Sequence, residues 1–248
     1  MKAVVCTALT GAHSLKVMEW PSRAPGYGEI RVAIYAAGVN FGDLLVTTGK
    51  YQVKLTPPFV LGTEGAGVGA TTVDLKGGLG SASAQTKDGI TVGALAAVNA
   101  VGSAVIDGGP HFWAAAAERG NEFGGRGQPA AVSESALKFR AKGGAQENTT
   151  LVVVATDATL TKAQTRRLAI MAQDGFARAL RPVHTPLDGD IVFAAATCGK
   201  PLGDPVFALA ELGTLAADVV ARAIARGVHE ATALPFPGSL PDWKSRFG

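Results

Sequence analysis

The residues with the most chemical promise are Asn148-Thr149-Thr150-Leu151, where a polar, glycine-bearing stretch meets an apolar run. A threonine at such a junction can attack its own preceding carbonyl. The resulting N-to-O acyl shift makes an ester, and hydrolysis of that ester leaves Thr149 as a new N-terminus. Its α-amine, ionising at about 7.7–8 when unperturbed, is then a general base carried by the nucleophile itself. That pairing activates a hydroxyl without a histidine. The same residues also suit a threonine that simply enters a strand, and the local sequence leaves both readings open.

Other chemistry-bearing groups lie far from this junction in the chain. Asn99 ends a strand-like run from Gly89, and a side-chain amide there can donate to an oxyanion. Asp188-Gly-Asp190 carries two carboxylates two residues apart. On a strand both would face the same side; otherwise the triplet is a plain turn. His184 and His229 read as partly exposed structural histidines, and Asp204 as a helix cap. His111, His184, Asp188 and Asp190 have no metal-ligand spacing, and Cys6 and Cys198 are too few for a disulfide framework or a four-cysteine zinc site.

The elements that must position these groups are clearest in the last hundred residues. Leu151-Val-Val-Val-Ala155 is a short apolar strand. Thr161-Lys-Ala-Gln164 is a capping-box pattern that predicts a helix to about Leu180. Its inward stripe is Leu168, Met171, Ala172, Gly175, Phe176 and Ala179. Residues 190–197 form a second buried strand, and Pro205 marks the first turn of a helix running to about Arg226, before Gly227. The order is strand, helix, strand, helix, with helices able to cover one face of a sheet. Residues 107–147 read as a long surface connection with weak periodicity.

Composition narrows the classes. The chain has 248 residues, 47% hydrophobic and 17% charged, so it can bury a core and is not wholly disordered. The formal charge is only +3 and the basic residues are scattered, which argues against nucleic acid. No apolar run reaches the roughly 18 residues of a membrane span, and the start lacks a signal-peptide pattern. The expectation is a soluble cytoplasmic protein with no membrane partner. All three tyrosines, Tyr27, Tyr35 and Tyr51, fall early, and beyond about Gly65 the sequence becomes a mixture of Ala, Gly, Val and Thr.

That shift separates two resemblances. MKAVV, PGYGEIRV, VNFGDLL, GKYQVK and PPFVLGTEGAG, within residues 1–66, resemble the start of the zinc-free quinone reductases, a GroES-like β-rich segment. Asn40, Asp43 and Tyr51 match that family's site-lining positions. The dinucleotide fingerprint is missing downstream, since Gly77-Gly-Leu-Gly80 lacks the G-x-G-x-x-G spacing. From about residue 67 to the end, KGGLGSAS, Val98-Asn99, NTTLVVVATDATLTKAQ and HTPLDGD resemble the P1 family of self-cleaving peptidases. That family includes L-aminopeptidase/D-esterases, β-peptidyl aminopeptidases and nylon-oligomer hydrolases.

The second resemblance implies an α/β fold, a partial αββα sandwich, and cleavage between Asn148 and Thr149 into 1–148 and 149–248. It implies Thr149 as nucleophile, Asn99 as oxyanion donor, Asp188 and Asp190 as holders of the new α-amine, and Lys76 as the active-site lysine. Neither cofactor nor metal is implied. The substrates would be small peptides, amino-acid amides or ω-amino acid oligomers, with esters as secondary ones, and the assembly a homo-oligomer. Two other readings stand beside it: an NADPH-dependent quinone oxidoreductase fragment, and a non-catalytic chimera of the two segments.

Overall fold

A computed structural model describes residues 2–21, 47–49, 56–60, 70–142, 148–234 and 238–248. The chain divides into two compact units, Met1–Gly69 and Ala70–Gly248. In the first unit, β1 (Lys2–Cys6) pairs antiparallel with β2 (Leu15–Glu19) and with β3 (Phe59–Val60). Val5 and Cys6 are fully buried there. The expected strand over Lys2–Cys6 is present; Asn40, Asp43, Tyr51 and the strand expected over 29–36 lie outside the described residues.

The second unit is built on a four-stranded sheet in the order β4 (Leu79–Gln85), β5 (Thr91–Ala97), β6 (Leu151–Ala158), β7 (Ile191–Lys200). The first two pairings are antiparallel and β6–β7 is parallel. A parallel pair needs a crossover. It is supplied by α2 (Lys162–Ala172) and α3 (Asp174–Ala179), while α1 (Glu134–Leu137) lies earlier in the chain. The long α4 (Phe207–His229) and the short α5 (Trp243–Phe247) complete the described helices. None of the described helices is long and apolar enough to cross a membrane.

Strand alternation selects the covered face. Ala82, Ala84, Val92, Ala94, Ala96, Val152 and Val154 are buried, against a helical layer that includes Leu168, Phe176, Leu212, Val219, Val220 and Ile224. Their neighbours Leu79, Leu95, Val153, Ile191 and Phe193 point the other way and are exposed. The second unit is α/β, with helices packed on one face of its four-stranded sheet. Gly80 is where α4 comes closest: a Cβ there would meet the Ala223 carbonyl oxygen at 2.1 Å.

The capping box forms as the sequence predicts. The Thr161 side chain accepts from the Gln164 N–H, and the Gln164 side chain accepts from the Thr161 N–H at 2.9 Å. The expected single helix to Leu180 is instead two, broken at Gln173 before Asp174-Gly175, residues of low helix propensity. Its inward stripe is otherwise as read, with Leu168, Ala172, Gly175, Phe176 and Ala179 all buried. Asp204 caps α4 by accepting from the Val206 and Phe207 N–H groups at 2.8 and 2.7 Å. The helix runs on through Gly227 to His229.

Leu79–Gln85, to which the sequence reading gave no element, is a full strand. One expectation fails. Residues 107–142 are not a bare surface connection. Phe112 and Phe123 are buried edge to face at 5.3 Å, and Phe112 stacks on Trp243 of α5. Glu122 takes both Nε and Nη2 of the buried Arg222 of α4, at 2.5 and 2.9 Å. An apolar anchor and a fork-shaped ion pair tie the segment to the helical layer.

Candidate active site

The pairing register places the candidate residues. Leu79, Ala97, Leu151 and Ile191 form one row across the sheet. Just beyond that row lie Lys76 ahead of β4, Asn99 after β5, Thr149 ahead of β6, and Asp188 and Asp190 ahead of β7. Residues up to 114 positions apart therefore meet at one end of the sheet.

The peptide bond between Asn148 and Thr149 is held from both sides. The Asn148 carbonyl accepts from the Gly189 N–H at 2.8 Å, and the Thr149 N–H donates to the Asn99 backbone carbonyl at 2.9 Å. A main-chain donor on a carbonyl oxygen stabilises the charge that develops when that carbonyl is attacked. The sequence reading missed this contact of Gly189. Thr149 is half-buried. Thr150 is fully buried and committed to the fold: its Oγ1 accepts from the Asn99 N–H at 3.3 Å and its own N–H donates to Asp190 Oδ1 at 2.9 Å.

Gly189 also makes room for the Thr149 hydroxyl. A Cβ at this position would come within 2.6 Å of Thr149 Oγ1. Gly189→Ala is therefore expected to turn the hydroxyl away while costing the fold little, because a side-chain oxygen can rotate aside. A displacement of about 1 Å at a reacting group costs about a hundredfold in rate. The self-cleavage expected from sequence after Asn148, followed on a denaturing gel, should slow by at least about tenfold while the melting temperature changes little.

The two carboxylates do different jobs. Both precede β7, and Asp188 forms an isolated parallel bridge with Asn148 in the register of the β6–β7 pairing. Asp188 spends its oxygens on structure: Oδ1 accepts from the Val101 N–H at 3.1 Å, and Oδ2 from the Thr185 hydroxyl at 2.9 Å. Asp190 is different. Its Oδ2 is buried and without a hydrogen-bond partner among the described residues, and the nearby His184 Nδ1 stands 3.5 Å away. Burial pushes the Asp190 carboxyl up, and the charge of Asp188 adds to this, against the opposing Thr150 N–H and His184. His184, read from sequence as a partly exposed structural histidine, stands next to this carboxylate, and its ring also packs on Phe176.

Lys76 touches none of these groups by hydrogen bond. Its Nζ donates to the Ala70 and Gly77 carbonyls, both at 2.7 Å, and burial lowers its pKa. A different lysine reaches the site. Lys142 Nζ donates to Asn99 Oδ1 at 2.9 Å, and burial holds it down to about 7. No sequence signal marked it, since it sits in a loop without periodicity. Among the described residues, no group of three or more His, Cys, Asp or Glu could hold a metal. Gly77-Gly-Leu-Gly80 runs into β4 and opens no helix, so it is not a phosphate-binding turn.

The second unit is thus an α/β domain that gathers a threonine, an asparagine, two carboxylates and a lysine at one sheet end. Residues 45–239 match the model of Peptidase family S58, and the chain belongs to that family. It is 42% identical over 200 residues to an uncharacterized aminopeptidase of Mycobacterium tuberculosis, covering 75% of this chain and 57% of that protein. The chain thus spans little more than half the length of this curated relative. A shorter similarity, 42% over 67 residues, is to the quinone oxidoreductase-like protein 2 of Rattus norvegicus, covering 27% of this chain and 19% of that one. A crystal structure of a Pyrococcus horikoshii protein is similar with a TM-score of 0.46 and 26% identity, over 68% of this chain and 44% of that one.

Proposed function

We propose that the chain is an autoprocessing hydrolase of amide bonds, an aminopeptidase in type, with Thr149 as its N-terminal nucleophile after self-cleavage. One observation carries the reading: the peptide carbonyl before Thr149 accepts from the Gly189 N–H at 2.8 Å, with the Thr149 hydroxyl lying over that same glycine. Thr149 Oγ1 attacks the Asn148 carbonyl carbon, the C–N bond breaks, and the hydroxyl proton ends on the departing nitrogen. Water then hydrolyses the ester, leaving a carboxylate on Asn148 and a free hydroxyl and α-amine on Thr149.

The new α-amine stays beside the Asn99 carbonyl, which the Thr149 N–H already faces. Asp190, with one buried oxygen still open, suits an ammonium far better than Asp188 does. Substrates are small peptides, amino-acid amides or ω-amino acid oligomers, with esters as secondary ones; no cofactor takes part in these steps.

Mass spectrometry of the purified full-length chain tests this. The expected result is two fragments, residues 1–148 and 149–248, the second beginning with Thr149. A single intact chain after prolonged incubation would overturn the proposal.

A further inference from the structure

The face of the four-stranded sheet turned away from the helices carries two unlike rows. Ser81, Leu95, Val153 and Phe193 stand side by side across β4, β5, β6 and β7 in the pairing register, all of them exposed. The neighbouring row on the same face is Ser83, Gly93, Ala155 and Ala195, with Gly93 half-exposed and the others exposed. On β5, β6 and β7 a large apolar side chain in the first row thus stands beside a methyl group or a bare glycine in the second. Neither row contains a charged residue.

Gly93 has no reason of its own within the described residues. Its φ is not positive, and a Cβ built there would meet, within 4 Å, only the Ala82 carbonyl oxygen at 3.6 Å and Ser83 Cβ at 3.9 Å, both ordinary contacts. A glycine in the middle of a strand weakens it, and often marks a place where something else approaches closely.

We propose that this face is the interface of a two-fold dimer, in which the sheets of two copies of the chain pack face to face. A two-fold axis between the sheets, parallel to the rows and midway between them, lays each row on the other row of the partner copy. Phe193 then lies over the partner's Ala195, Val153 over the partner's Ala155, and Leu95 over the partner's Gly93. Each large side chain meets a small residue, which lets facing sheets close to about 10 Å with their side chains interdigitated. Four strands about 4.8 Å apart and about seven residues long give a face of about 450 Å². Two such faces approach the roughly 1,000 Å² of a stable interface. A second copy sets no like charges together here, whereas an acidic peptide or a nucleic acid would find no counter-charge in either row. The copies run antiparallel, so their Thr149 ends lie at opposite ends of the sandwich. The inference does not rest on Thr149 as nucleophile.

The test is analytical ultracentrifugation of the full-length chain over a concentration series, in a Thr149→Ala background that keeps it uncut. The expected result is a concentration-dependent dimer and no larger species. Gly93→Val should weaken the dimer by at least about tenfold, because the added side chain overpacks against the partner's Leu95. Its melting temperature at concentrations where the chain is monomeric should not fall, since valine suits a strand. If Gly93→Val does not fold by circular dichroism, Gly93→Ala takes its place. Phe193→Ala and Ala195→Phe should each weaken the dimer by at least about tenfold, one by a cavity and the other by a clash. Combined in one chain they should recover most of the affinity, because exchanging large and small within one strand preserves the match. A chain that stays monomeric at every concentration overturns the proposal and leaves the face to a different polypeptide. Polydisperse aggregates overturn it as well, as does a dimer whose affinity is unchanged in Gly93→Val and in both single variants.

Discussion

Thr149→Ala is expected to leave the chain as one uncut polypeptide without amide hydrolase activity, because in the proposed reaction a single hydroxyl serves both the acyl shift and the later attack on substrate. Thr149→Ser should still cleave, since a primary hydroxyl attacks with less steric hindrance. The neighbouring threonine provides the control. Thr150 is fully buried, and its hydroxyl accepts the Asn99 N–H at 3.3 Å. Thr150→Ala should therefore still cut after Asn148, more slowly and on a less stable fold, because the Asn99 N–H loses that acceptor. Gel analysis with N-terminal sequencing of the small fragment reads all three variants. Cleavage that survives Thr149→Ala but fails in Thr150→Ala would move the nucleophile by one residue. The roles of Asn99, Asp188 and Asp190 would then go too, since all were assigned from the same register.

Asp190→Asn is expected to separate stability from activity. The Asp190 carboxyl is buried and its pKa is raised, chiefly by loss of hydration and then by the charge of Asp188. A carboxylate whose folded pKa lies above its unfolded value near 3.8 binds its proton more tightly in the native state. Stability therefore falls as pH rises from about 4 through the folded value. Asparagine keeps the acceptor for the Thr150 N–H and removes the charge. In a Thr149→Ala background, which keeps the chain uncut, Asp190→Asn should raise the melting temperature at pH 7 by a few degrees. Each kcal/mol moves it by about 2–4 °C for a domain of this size. The gain should shrink toward pH 4. With Thr149 restored, the same substitution should slow self-cleavage and turnover, because it removes the oxygen proposed to receive the α-ammonium. Equal melting curves at both pH values would refute this account of Asp190.

How much of this was legible in the sequence depends on how far apart the partners lie. The capping box at Thr161 and Gln164, the buried stripe from Leu168 to Ala179, the apolar strand after Leu151 and the Asp204 cap all depend on residues within a turn or two of one another. Such signals survive in one dimension, because local hydrogen bonds and side-chain period create them. The strand Leu79–Gln85 escaped notice although it alternates. Its inward residues are Gly80, Ala82 and Ala84, too small to contrast with serine, and they are small because α4 lies so close above them.

The site residues were named by motif, but the division of labour among them came from the tertiary structure. Asp188 and Asp190 are alike in sequence. Only the packing gives Asp188 the Val101 N–H and the Thr185 hydroxyl, and leaves Asp190 one buried open oxygen. The Gly189 N–H meets the Asn148 carbonyl across 41 residues, and Lys142 meets Asn99 across 43. Neither contact follows from propensity or period. Each exists because four strand ends are brought into one row by the sheet register, and it is that row which turns a threonine at a loop–strand junction into a candidate nucleophile.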